Sequence, residues 1–72
     1  MSKKIIAFLK LNGFKKMESN SYANSNCNVV FENSWITVAD NYGQQIANAS
    51  ESLFWLIGVL TYEGLINKHY KQ

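Results

Sequence analysis

Two stretches of this chain carry apolar residues at helical spacing, and the segment between them alternates. In the first stretch Ile5, Ile6, Phe8 and Leu9 share one arc of a helical wheel, with Lys3, Lys4 and Lys10 outside it. Ser2 suits the N-cap, and Asn12-Gly13 suits the stop: Gly13 takes the left-handed position and Phe14 makes the apolar contact beyond it. The pattern predicts a helix from Ser2 to about Asn12.

Residues 15–48 show no long helical period. Cys27-Asn28-Val29-Val30-Phe31-Glu32 alternates, with Cys27, Val29 and Phe31 on one face. Asn33-Ser34 reads as a tight turn. Ser34 to Asp40 then places Ile36 and Val38 on one face and Trp35 and Thr37 on the other. Asp40-Asn41-Tyr42-Gly43 reads as a type I turn closed by a left-handed glycine, the three-residue hairpin loop. Gln44 to Asn48 is the returning strand. Upstream, Lys15 to Ala23 is a weaker strand, interrupted or ended at Ser19-Asn20-Ser21 and at Asn24-Ser25-Asn26. The segment predicts an antiparallel meander of three or four strands.

The last periodic stretch opens at Ser50 or Ser52 and runs to about Glu63, where Gly64 ends it. Leu53, Leu56, Ile57 and Leu60 form an ordinary core stripe. The opposite side is apolar too, with Phe54, Trp55, Gly58, Val59 and Tyr62. A helix apolar all round needs cover on both sides, and one small sheet with one short helix supplies little of it. The expected architecture is α+β: one domain over residues 1–72, helix, antiparallel β-meander, helix, with both helices on one sheet face and residues 67–72 as a tail.

Composition narrows the function. The chain has 72 residues, of which 47% are hydrophobic and 14% aromatic, too apolar for intrinsic disorder. One cysteine excludes an internal disulfide, and one histidine excludes most metal sites built from Cys and His. The longest apolar run, Leu53 to Leu60, falls far short of the roughly 20 residues that span a bilayer. The opening Met1 to Lys10 has a basic start, but its apolar run is too short for a signal peptide and no cleavage motif follows. These features point to a cytoplasmic protein in a reducing compartment, away from membranes.

The net charge is only +2, but its order is uneven. Lys3, Lys4, Lys10, Lys15 and Lys16 precede any acid. Glu18, Glu32, Asp40, Glu51 and Glu63 follow with no base among them, and Lys68, His69 and Lys71 close the chain. The basic opening offers an electrostatic surface, for nucleic acid or for an acidic partner.

Catalytic chemistry finds little footing. Cys27 sits on an alternating strand and reads as a small buried hydrophobe, while His69 reads as a solvated tail residue. The carboxylates are scattered singly, and no phosphate-binding glycine pattern occurs. No cofactor is expected, and no enzyme. Lysines with nearby aromatics (Phe8, Phe14, Tyr22, Tyr70) suit a sequence-tolerant single-stranded nucleic-acid binder, yet the chain has no arginine for bidentate base contacts. Protein association has the stronger signal. Phe54, Trp55, Val59 and Tyr62 are of the apolar and aromatic types that anchor interfaces, with Gly58 allowing close approach. The rival reading places that stripe inside a monomer core, and self-association, as in a homo-oligomeric structural or accessory protein, is a further alternative.

The stretch Leu53 to Ile66 and the opening helix followed by Asn12-Gly13-Phe14-Lys15-Lys16 are similar to small proteins of AT-rich bacterial genomes and their prophages. Proteins of that kind resemble phage-encoded inhibitors of bacterial defence, the anti-CRISPR type among them. The resemblance implies a non-enzymatic inhibitor that occupies the surface of a defence nuclease or ribonucleoprotein. It carries over no functional residue.

Overall fold

Ser2 begins the first helix as anticipated: its hydroxyl accepts a hydrogen bond from the Lys4 backbone N–H at 3.1 Å and caps α1 (Lys3–Leu11). At the other end Asn12 is the C-cap and Gly13 turns left-handed at φ 83°. The Gly13 N–H donates to the Lys10 carbonyl at 3.2 Å and the Phe14 N–H to that of Leu9 at 3.0 Å, a Schellman closure. Phe14 is buried just beyond it. This is a computed structural model, and it describes residues 2–66; residues 67–72, expected as a tail and holding Lys68, His69, Tyr70 and Lys71, lie outside the described residues.

Five strands follow in a simple meander, β1 (Lys15–Glu18), β2 (Ser21–Ala23), β3 (Cys27–Glu32), β4 (Trp35–Asp40) and β5 (Gln45–Ser50), each antiparallel to the next. The expected meander is there, with one more strand than three or four. The extra one comes from Lys15 to Ala23, which folds back on itself at Ser19-Asn20 and gives β1 and β2. Asn20 stabilises this fold-back. Its side-chain amide donates to the Phe31 carbonyl at 3.0 Å, and its own carbonyl accepts the Phe31 N–H at 2.9 Å.

The turns obey the local chemistry. Asn33 and Ser34 both have positive φ, 50° and 69°, as a two-residue hairpin turn matched to strand twist requires. Asp40 organises the next loop: its Oδ1 accepts the N–H groups of Tyr42 and Gln44, each at 2.9 Å, and Gly43 sits at φ 86°. Ile46 is then an extra residue, because Ala47 pairs with Val38 while Gln45 pairs with Ala39.

Ser52 caps α2 (Leu53–Tyr62), its hydroxyl accepting the Trp55 N–H at 3.2 Å. Gly64 at φ 71° closes it with a second Schellman pair, Gly64 N–H to Thr61 and Leu65 N–H to Leu60. Both helices lie on one face of the sheet. Ile5 and Leu9 of α1 and Leu56 and Leu60 of α2 share a core with Cys27, Val29, Phe31, Ile36 and Val38. All five strand residues point to the same side by alternation and register. Tyr22 meets Phe31 edge to face in this core, ring centroids 6.5 Å apart. The opposite sheet face, bearing Ser21, Asn28, Val30, Glu32, Trp35, Thr37 and Asn48, has no helix over it among the described residues.

Candidate interaction surfaces

The sequence grouped Phe54, Trp55, Val59 and Tyr62 on one side of the second helix. The structure divides them. Trp55 and Val59 are half-buried and pack against the core, while Phe54 and Tyr62 are each 87% exposed. The division follows from helix geometry, since Phe54, Gly58 and Tyr62 recur every four residues and form one line along α2. Eight residues at 1.5 Å rise place the two rings about 12 Å apart along the axis. Between them Gly58 is exposed, and an added Cβ there would meet nothing within 4 Å. The result is a shallow apolar strip with an aromatic ring at each end and bare backbone in the middle.

All five opening lysines are exposed, yet they do not share one surface. Lys3 and Lys10 lie on nearly the same line of α1, with Lys4 about 100° around it. Lys15 pairs with Ala23 and Lys16 with Tyr22, so the two project to opposite faces of β1. Only Lys15 belongs to the uncovered sheet face.

Chemistry at the candidate nucleophile is suppressed. Cys27 is fully buried, and desolvation pushes its thiol up to about 11, away from the thiolate that would attack or bind metal. Among the described residues no group of three His, Cys, Asp or Glu is placed to hold a metal ion. His69 lies outside them. Among the same residues no helix is long and apolar enough to cross a membrane.

A surface that sequence reasoning did not single out surrounds Trp35. Its side chain is 49% exposed. It borders a cleft of about 560 Å³ where the capping residues Ser2 and Ser52 of both helices meet Ser34 and Glu51. In that cleft the Glu51 carboxylate accepts the Ser2 backbone N–H at 2.9 Å. Trp35 also borders a hollow of about 350 Å³ on the uncovered sheet face, with Glu32, Asn33, Thr37 and Asn48. The sequence signal was present, since Trp35 alternates with the core residues Ile36 and Val38. It needed the knowledge that no helix among the described residues covers its face.

The fold and these surfaces define a small two-layer α+β domain with solvent-facing aromatic groups on both layers. Compared with protein-family models, with curated proteins and with solved structures, the chain matches none.

Proposed function

We propose that this protein is a non-enzymatic binding domain that docks the outer face of α2 against a partner protein. One observation carries the reading: Phe54 and Tyr62 stand 87% exposed on a single line of a helix whose Leu53, Trp55, Leu56, Val59 and Leu60 reach the core. Leaving two aromatic rings in water forgoes roughly 1.5–3 kcal/mol of burial per ring, and removing them from water is what a partner surface provides. Aromatic anchors around a glycine are also the composition in which a few residues dominate binding energy. The most concrete form of the proposal is a phage-encoded inhibitor that occupies a defence nuclease or its ribonucleoprotein. That finer reading rests on the sequence resemblance alone.

The test is capture from host lysate with the tagged full-length chain, with and without nuclease treatment, beside the double variant Phe54→Ala/Tyr62→Ala. A defined protein retained after nuclease treatment and lost with the variant is the expected result. Retention by the variant removes α2 from the interface. Recovery that vanishes with nuclease transfers the function to nucleic acid and to the exposed lysines.

A further inference from the structure

The two edges of the sheet differ in a way that folding alone does not demand. β1, at one edge, is four residues long, carries Lys15, Lys16 and Glu18, and is broken by an extra residue at Met17. Shortness, charge and a bulge are the devices that keep an edge from accepting another strand. β5, at the other edge, runs six residues with no charged side chain and no proline; its own extra residue, Ile46, sits at its start and leaves Ala47 to Ser50 in unbroken register with β4.

Register shows which groups β5 offers. The Glu51 N–H donates to the Ser34 carbonyl at 2.8 Å, which makes Ser34 and Glu51 a hydrogen-bonded pair. By alternation the next such pairs are Ile36 with Ala49 and Val38 with Ala47. The backbone N–H and C=O groups of Asn48 and Ser50 therefore point away from β4, toward the free edge.

Beside that edge, one row across the uncovered face reads Ser50, Trp35, Glu32, each opposite the next. Lys4 and Glu51 line the cleft on the other side of Trp35, while among the described residues Glu32 is the one charged group lining the hollow on the uncovered face. The carboxamides there are idle. Asn12, Asn20, Asn24, Asn26 and Asn41 each hydrogen-bond within the fold through their side chains, whereas Asn33 and Asn48 make no such bond to another described residue.

We propose that the β5 edge accepts an extended segment of a partner protein as a sixth strand, a basic side chain of that segment lying across Ser50 onto Trp35 and toward Glu32. Strand addition supplies main-chain hydrogen bonds at Asn48 and Ser50, and alternate side chains of the added strand fall on the open face. Two strand spacings, about 10 Å, separate the added backbone from that of Trp35, and the small Ser50 leaves the path clear. An indole beside a carboxylate recognises a cation, and arginine best, because a guanidinium stacks on the ring and forks onto the acid. A second copy of this chain is the poorer occupant. Pairing β5 with its own copy about Asn48 sets Ile46 opposite Ser50, where the site calls for a cation, and the β1 edge is the guarded one.

The proposal rests on the protein-binding reading but uses the sheet layer opposite α2. Its test is a selection of random 12-residue displayed peptides on the full-length chain, followed by amide-resolved NMR with a selected peptide. The expected peptides lack proline and carry Arg or Lys at alternate positions. The amides of Asn48 and Ser50 shift and gain exchange protection, while those of Ala47 and Ala49, already bonded to β4, change little. Asn48→Pro removes only an outward N–H and abolishes binding while circular dichroism stays unchanged. Glu32→Gln, which leaves the backbone intact, weakens the same peptide roughly tenfold.

A selection that enriches nothing, or no basic pattern, overturns the proposal. So do peptides that move the amides of Phe54 and Tyr62 and leave Asn48 and Ser50 unmoved. Protection at Asn48 that grows with protein concentration alone gives the edge to a second copy. Phe54→Ala/Tyr62→Ala is expected to keep peptide binding, so loss of either surface is distinguishable from loss of the other.

Discussion

The side-chain amide of Asn24 donates to the backbone carbonyl of Leu65 at 3.0 Å, joining two points 41 residues apart. Asn26 donates to the same oxygen at 3.2 Å. Meanwhile the Asn24 Oδ1 accepts the N–H groups of Asn26 and Cys27, at 2.8 and 2.9 Å, so this side chain shapes the β2–β3 loop and ties down the chain leaving α2. The contact holds Leu65 and Ile66 against the sheet end, where Ile66 is buried.

Replacing Asn24 by alanine removes both functions at once. The expected cost is about 1–3 kcal/mol, because two loop N–H groups lose their acceptor and the Leu65 carbonyl loses one of its two donors. Urea denaturation is the measurement, with a lower midpoint at unchanged slope. Asn24→Asp separates the roles. It keeps the acceptor for the loop and sets a carboxylate against the Leu65 carbonyl, so it is expected to fall between wild type and Asn24→Ala.

Ser34 sits at φ 69°, a conformation costing an L residue about 1–2 kcal/mol. Ser34→Gly is expected to raise stability by about 1 kcal/mol, which in a domain of this size raises Tm by about 4–8 °C. Its carbonyl remains available to Glu51, so the β4–β5 ladder is untouched. A thermal melt showing no gain would mean that the hydroxyl has a role in the cleft it borders.

Burial raises the Cys27 thiol from 9.0 to about 11. A group whose folded pKa lies above its unfolded value keeps more protons in the folded state. Its contribution is complete below pH 9 and is lost as pH rises toward 11. The stability difference between wild type and Cys27→Ala is therefore expected to stay constant below pH 9 and to shrink between pH 9 and 11. At pH 8 a thiol reagent is expected to label the native protein no faster than it unfolds.

Elements governed by local chemistry were legible from the chain: the Ser2 cap, both glycine stops and the Asp40 loop need only neighbours in sequence, while the α2 cap was open between Ser50 and Ser52 and falls at Ser52. β1 and β2 were hard to separate because each is shorter than one clear alternation, and their turn at Ser19-Asn20 is fixed by a distant bond from Asn20 to Phe31. The all-apolar wheel of α2 announced a second buried side but not where the boundary falls. Trp55 reaches the core while Phe54, one residue earlier, faces away from it, and that distinction depends on how the helix is rolled on the sheet. Trp35 was likewise readable as outward-facing, while its importance depends on no helix lying over that sheet face among the described residues.

That roll predicts opposite outcomes for adjacent residues. Trp55→Ala is expected to cost about 2 kcal/mol, since a half-buried indole leaves a hole at the core margin. Phe54→Ala is expected to change stability by less than about 0.5 kcal/mol, as an exposed substitution into a good helix former. Chemical denaturation of the two single variants decides it. Equal losses would place Phe54 in the core and remove it from the proposed surface.

Gly58 offers the cleanest separation of folding from binding. It lies in the interior of α2 with open space around the position of a Cβ, so Gly58→Ala is expected to stabilise the domain by about 0.5–1 kcal/mol. The same methyl rises between Phe54 and Tyr62, on the bare backbone where a partner would make its closest approach. A variant that melts higher yet captures its partner less well shows that the glycine is retained for contact at some cost in stability. A variant that melts higher and binds as before confines the contact to the two rings.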